Sequence, residues 1–167
     1  MPTGDRNDPF NARNFRVEVD GIRTEGLLTV LGIEADVTGG DYREGNEKLF
    51  IFSPRKLPGE AKFTNIVLKR GMTSDLSSWE WMQETLDGKL TRKAMSVALL
   101  SDAGAEVLRF NFRETWPVKW SGPILNAETS DIAIETLEIA HEGFSISSIS
   151  GASEMAVPTV DKSPSPS

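Results

Sequence analysis

Chemistry at neutral pH needs a proton donor or acceptor in a tuned site, an activated nucleophile, or a set of metal ligands. Glu135 and Glu138 flank Leu137, and Asp41, Glu44 and Glu47 cluster just before Leu49-Phe50-Ile51-Phe52. Paired carboxyls catalyse acid–base reactions when held across a pocket in unlike environments. Nothing in these spacings imposes that geometry, so they read as solvated strand faces and turn residues. His141 is the one histidine, and the serines at 145, 147, 148 and 150 that follow it carry no nucleophile-elbow pattern. A structural or interface histidine is the better reading. Asp5-Arg6-Asn7-Asp8 resembles a fragment of a calcium loop but lacks the glycine and distal glutamate. The run 109–120, RFNFRETWPVKW, interleaves aromatic and basic residues as a base-stacking groove would. It reads equally as a strand whose aromatics face a core while Arg109, Arg113 and Lys119 face out. No catalytic residue, cofactor site or metal site is expected.

The composition excludes further classes. With no cysteine there is no disulfide, thiolate nucleophile or thiolate metal site. The formal net charge of −7 argues against general affinity for nucleic acid or an anionic membrane, both of which reward a positive surface. No apolar run reaches the ~18 residues of a membrane span, and the polar start MPTGDRNDPF has no secretory signal. A length of 167 residues suits one domain with one core.

Strands must supply the framework. Phe15, Val17 and Val19 alternate with Arg16 and Glu18, and Asp20-Gly21 offers the residues of a tight hairpin turn. Ile22 opens the return strand, which Gly26 bends. A third strand at 32–38 is expected to end at Gly39-Gly40, and another at 62–70 places Ile66 and Leu68 on one face. One helix is expected at about 75–87. Leu76, Trp79, Gln83 and Leu86 form its stripe, widened by Trp81 and Met82, and Ser77 with Glu80 forms a capping box unless Ser74 or Asp75 caps it earlier. KAMSVALL and AEVLRFNF pair around Ser-Asp-Ala-Gly, and Trp116-Pro117 is expected to end the second of them. Ser121-Gly122-Pro123 reads as a turn. The strand 131–142 switches phase between Ile132/Ile134 and Leu137/Ile139, which predicts a bulge or a strand apolar on both faces.

The order DPF, NFRVEVDGI, YREGNE, RKLPG, NIVLKRG, the WEW helix, DAG, TWP and AIETLEIAHEG resembles the tail-tube proteins of contractile phage tails and contractile injection systems. The resemblance covers roughly residues 8–144. It extends to the pyocin-like and extracellular systems and, more distantly, to type VI secretion tubes. It implies a mainly β (α+β) chain: an antiparallel β-barrel or sandwich with one helix, polymerising as a ring-stacked tube. The resemblance implies a tube domain at 13–144, while composition alone marks a loose N-terminal arm at 1–12 and a Ser/Pro-rich disordered tail at 145–167 that extends past the typical end of the family. The implied function is a non-enzymatic subunit of the inner tube, whose hexameric rings stack into a conduit for DNA or protein. Its partners would be itself, sheath and baseplate proteins. No specific nucleic-acid binding and no membrane insertion are implied. Assembly would occur in the bacterial cytoplasm, and the product would be a phage tail or an injection particle.

In that family the segment between YREGNE and RKLPG makes subunit and ring contacts. This places Arg43, Glu44, Leu49, Phe50, Ile51, Phe52, Arg55 and Lys56 at an interface, where the residues alone also allow an ordinary strand of the subunit's own core. Burying the four apolar side chains would contribute about 1.5–3 kcal/mol each before ordering costs. The reading from another class is a small β-barrel binding module for a small ligand or single-stranded nucleic acid.

Overall fold

The computed structural model describes residues 9–42 and 55–149. The expected arm up to residue 8, the segment 43–54 and the tail from residue 150 lie outside the described residues. Strand β1 (Phe15–Val19) turns into β2 (Ile22–Thr24) through Asp20 and Gly21, whose φ angles of 51° and 76° give the expected two-residue turn. After Gly26 at φ 74° the chain enters β3 (Leu27–Leu31), so the return strand is divided in two. β4 (Ala35–Tyr42) and β5 (Arg55–Phe63) form a separate two-stranded ribbon. β4 therefore continues through Gly39-Gly40, where the sequence suggested a stop. The expected 62–70 strand is also two elements, because the chain leaves the ribbon at Thr64-Asn65 before β6 (Ile66–Gly71) begins.

Helix α1 (Ser77–Leu86) follows, then β7 (Lys93–Leu100), β8 (Glu106–Ser121), β9 (Ile134–Ala140) and β10 (Phe144–Ser148). All pairings are antiparallel, in the order β2-β1-β7-β8-β9-β6-β3, with β10 also on β8. The sheet does not close into a barrel. β8 belongs to two layers of a sandwich: its first half pairs with β7 and β10, its second half with β9. The bend falls at Glu114, where φ is 51° and the β7 register shifts between Lys93 and Met95. Trp116-Pro117 thus does not end the strand. Pro117 is fully buried in β8, opposite Ile139, and a register shift between Pro117 and Lys119 accommodates the missing amide hydrogen.

The core lies between the layers. Val17, Met95, Val97 and Phe112 from one layer meet Ile66, Leu68, Leu137 and Ile139 from the other, with Trp81 from the helix. Of the inward aromatic face expected of 109–120, Phe110, Phe112 and Trp120 pack in or against the core, whereas Trp116 alternates with the buried Thr115 and Pro117. A base-stacking groove is ruled out where Phe112 is only 2% exposed. Trp81 is the buried residue of α1, whereas Leu76 and Leu86 at the ends of the expected stripe are exposed. Trp81 donates its indole N–H to Thr91 O at 2.9 Å and carries Lys93 Nζ over its ring, contacts that rotate this face inward. There is no side-chain capping box. Instead Asp75 Oδ1 accepts the Ser77 N–H at 3.0 Å, just ahead of the helix.

β9 holds one phase, with Glu135, Leu137 and Ile139 buried. Ile134 points the other way and Ile132 precedes the strand, so the switch in pattern marks the strand's start and not a bulge within β9. β10 also carries strand pairing past residue 144: Ile146 pairs with Phe110 and Ser148 with Leu108, in a stretch the sequence assigned to the tail. The apolar alternation of Phe144 and Ile146 explains why it pairs despite its serines.

Candidate assembly surface

Of the residues placed at an interface, Arg43, Glu44, Leu49, Phe50, Ile51 and Phe52 lie outside the described residues. Arg55 and Lys56 open β5, opposite Tyr42 and Asp41. They therefore sit at the far end of the ribbon, which pairs with no other strand among the described residues. The near end is tied to the sandwich by His141. Its Nε2 lies 2.8 Å from Thr64 O, and its Nδ1 accepts the Gly143 N–H at 3.2 Å. A carbonyl only accepts, so the proton is assigned to Nε2 of a neutral ring. Phe63 packs tilted against His141 and edge-on against Phe144, with ring centroids 5.7 and 5.9 Å away. The lone histidine is structural: it fastens the ribbon's root to the β9–β10 corner.

A second surface lies at the other end of the sheet. Between β8 and β9 the chain makes an arm, residues 122–133, that leaves Ile124 95%, Leu125 85% and Ile132 75% exposed. Ile124, Leu125, Asn126, Thr129, Asp131 and Ala133 line a cavity of about 470 Å³. The arm returns to the sheet where Met72 N–H bonds Ala133 O at 2.8 Å. Sequence reasoning saw only a Ser-Gly-Pro turn here. The missed signal is Ile124-Leu125, two large apolar residues directly after Gly-Pro with no alternating partner.

Beneath this end lies a polar network. Arg70 of β6 bonds Glu135 of β9 through Nε, and Asp75 through Nη1 at 3.0 Å and Nη2 to its carbonyl at 2.8 Å. Trp120 Nε1–H donates to Glu135 at 2.9 Å, and its ring meets Trp79 edge-on at 5.0 Å. Burial opposes the charge on Arg70, but the bonds to Glu135 and Asp75 outweigh it and hold its pKa above the ordinary value. Asp75 is held below the usual carboxylate range, chiefly by the Ser77 N–H and further by Arg70. Reading Glu135 as a solvated carboxylate is thus corrected: it is 3% exposed because Arg70 and Trp120 satisfy it.

The outer face of the β1–β7–β8 layer carries a second network. Arg16 pairs with Glu106 at 2.9 Å, and Arg109 bonds Glu106, Glu18 (3.1 Å) and Ser96 (2.8 Å). The hydrogen bond from Arg109 lowers the Glu106 pKa and raises that of Arg109 itself. These side chains roof over Ala98, 1% exposed. Among the described residues, β2, β3 and β10 each have one unpaired edge. No metal-binding cluster occurs among them, and no helix is long and apolar enough to cross a membrane.

Projecting ribbon, apolar arm and free strand edges are features of a subunit shaped for its neighbours. Residues 11–145 match the family described as T4-like virus tail tube protein gp19. The chain belongs to this tail tube family. The tail tube fold is also that of a chain in the extended sheath-tube complex of the extracellular contractile injection system PVC. The TM-score is 0.75 at 21% identity, over 86% of this chain and 95% of that one. A chain of the anti-feeding prophage tube-terminating cap gives 0.74 at 20%, over 84% and 92%. Hcp1 from Flavobacterium johnsoniae gives 0.56 at 19%, over 81% and 95%. No curated protein matches the sequence. As a tail tube protein, the chain is a structural tube subunit and not an enzyme.

Proposed function

We propose that this tail tube protein forms hexameric rings that stack into a hollow conduit inside a contractile sheath, seated on a baseplate. The observation that carries this reading is the family match from residue 11 to residue 145, nearly the whole sandwich. A closed ring needs head-to-tail contacts between two different patches, and the unpaired edges of β2, β3 and β10 supply candidates. The ribbon, including Arg55 and Lys56, together with the segment from Arg43 to Phe52, makes the contacts between subunits and rings. The tube domain of residues 13–144, extended through β10, is the polymerising unit, and the N-terminal arm and the tail are accessory to it. Subunits assemble in the bacterial cytoplasm, and the finished tube resides in a phage tail or injection particle. DNA or protein cargo passes through the lumen, and the chain's net charge of −7 favours passage of nucleic acid without adhesion.

Negative-stain electron microscopy of the purified chain across a concentration series, with mass photometry alongside, tests this. Rings of six subunits or hollow tubes are the expected result. A uniformly monomeric particle at high concentration, even with a baseplate template added, would refute it.

A further inference from the structure

His141 holds the root of the ribbon through two backbone groups, and neither can change its role. Thr64 O only accepts and the Gly143 N–H only donates, so Nε2 must carry the proton and Nδ1 must stay bare. A hydroxyl or amide partner could turn to suit a second proton; these two cannot. A proton on Nδ1 would set donor against donor across 3.2 Å. Gly143 is buried, so a ring that swings away deprives its N–H of an acceptor.

The surroundings do not compensate an imidazolium. Phe63 of β5, Phe112 of β8 and Phe144 of β10 crowd the ring, with centroids 5.7, 5.1 and 6.1 Å from it. From β8 comes another cation: Arg113 Nη2 donates to Glu142 O at 3.4 Å and lies 2.7 Å from where a Cβ on Gly143 would stand. The Glu142 carboxylate is engaged by Arg92, which also pairs with Glu114 at 3.7 Å. On the ribbon side Glu34 accepts the Thr64 hydroxyl at 3.2 Å, and on β9 Glu138 accepts Asn65 Nδ2–H at 2.8 Å. Lys62 alternates with Phe63 along β5 and so points to the other face of the ribbon. No carboxylate among the described residues bonds the imidazole. The ribbon pairs with no other strand among them, so its root depends on His141 and on the Asn65–Glu138 bond.

We propose that His141 is a proton-operated latch: acid releases the root of the ribbon from the β9–β10 corner and thereby weakens the assembly contacts that the ribbon makes. The latched ring has no place for a second proton, whereas a free imidazole takes one up between about pH 5 and 8. The unlatched form therefore binds more protons. Latching is complete above the imidazole range and is lost as pH falls through it, by about tenfold per pH unit in the latched-to-unlatched ratio. The effect on assembly rests on the tube reading; the latch itself does not.

Hydrogen exchange on the dilute full-length chain, read by mass spectrometry and corrected for the intrinsic pH dependence of exchange, tests this between about pH 7.5 and 5.5. Protection of peptides covering β5 and Thr64 should fall about tenfold over the last pH unit, while that of β6 and β9 holds. His141→Gln, which cannot become charged, should abolish the step, and Glu138→Gln and Glu34→Gln should keep it. Ribbon protection that ignores pH, a fall shared by β6 and β9, or a step that survives in His141→Gln would each overturn the proposal. So would loss of the step in Glu138→Gln or Glu34→Gln, which would make a carboxylate the switch. If His141→Gln does not fold, the contrast between ribbon and core in the unmodified chain decides. Sedimentation of the concentrated chain over the same pH range should show a rising threshold for assembly in the unmodified chain and a constant one in His141→Gln. A constant threshold in the unmodified chain, with the ribbon loosened, overturns the assembly half of the proposal. Absence of rings and tubes at neutral pH strikes the tube reading instead, and the exchange data still judge the latch.

Discussion

Arg70→Met should be among the most damaging single substitutions in this protein. Arg70 and Glu135 are 4% and 3% exposed, and each satisfies the other. Among the described residues, removing the guanidinium leaves a buried carboxylate with Trp120 Nε1–H as its remaining partner, and frees Asp75 from the sheet. Breaking a buried pair from one side costs about 3–5 kcal/mol, whereas replacing both partners by apolar groups is often nearly neutral. The double variant Arg70→Met/Glu135→Leu should therefore recover much of the loss. It keeps a deficit of about 1–3 kcal/mol because Trp120 Nε1–H then lacks an acceptor. The assay is urea unfolding of dilute, unassembled protein followed by tryptophan fluorescence, since Trp79 and Trp120 both border the network. A midpoint temperature lower by roughly 10 °C for the single variant would accompany it. The reasoning is refuted if the single variant loses less than about 1 kcal/mol, or if the double is no more stable than the single.

Trp81→Ala removes the buried anchor of α1 and should cost about 3–5 kcal/mol in the same urea experiment. Gly32→Ala should cost about 3 kcal/mol or more, because φ is 90° and a Cβ would stand 2.2 Å from the Asn65 backbone oxygen. Gly21→Ala, at φ 76° with open space around it, should cost only about 1–2 kcal/mol by thermal melting. Asp75 and Glu106 have folded pKa values below their ordinary ones, so their stabilisation is complete above the ordinary carboxylate range. It is lost as pH falls through the folded values. Urea midpoints measured from neutral pH downward should drop below about pH 4.5, and Asp75→Asn/Glu106→Gln should flatten that drop.

Alternation made the strands of the sandwich readable: Val17, Ile66, Leu68, Phe110 and Phe112 point where period-two spacing sends them. What escaped the pattern depends on partners distant in sequence. Glu135 looks solvent-facing until Arg70, 65 residues away, is brought against it. Pro117 looks like a terminator until the register shift opposite Ile139 makes room for it. The helix was legible, but its rotation was set by Trp81 reaching Thr91 O, a contact that its apolar stripe does not encode. The interface proposed at the ribbon end comes from the motif holding Arg55 and Lys56, which carries the family resemblance. The 122–133 arm was not legible, because Ile124 and Leu125 stay exposed among the described residues and fall into no periodic pattern.

The passage of β8 through both layers has a mechanical consequence. In a sandwich of independent sheets, a sideways force can be relaxed by side chains slipping across the interior. Here one continuous covalent backbone, bent at Glu114, is stitched by hydrogen bonds into each layer. Sliding one layer over the other must strain peptide geometry at that corner, where bond angles stiffen roughly quadratically with displacement. The corner is also clamped: Thr115 donates to Lys93 O at 2.6 Å, and Arg113 and Glu142 exchange backbone bonds with Gly143 and Arg113 at 3.0 Å each. Under a shearing load the subunit should behave as a single rigid brick and yield at its joints with neighbours before its own layers part.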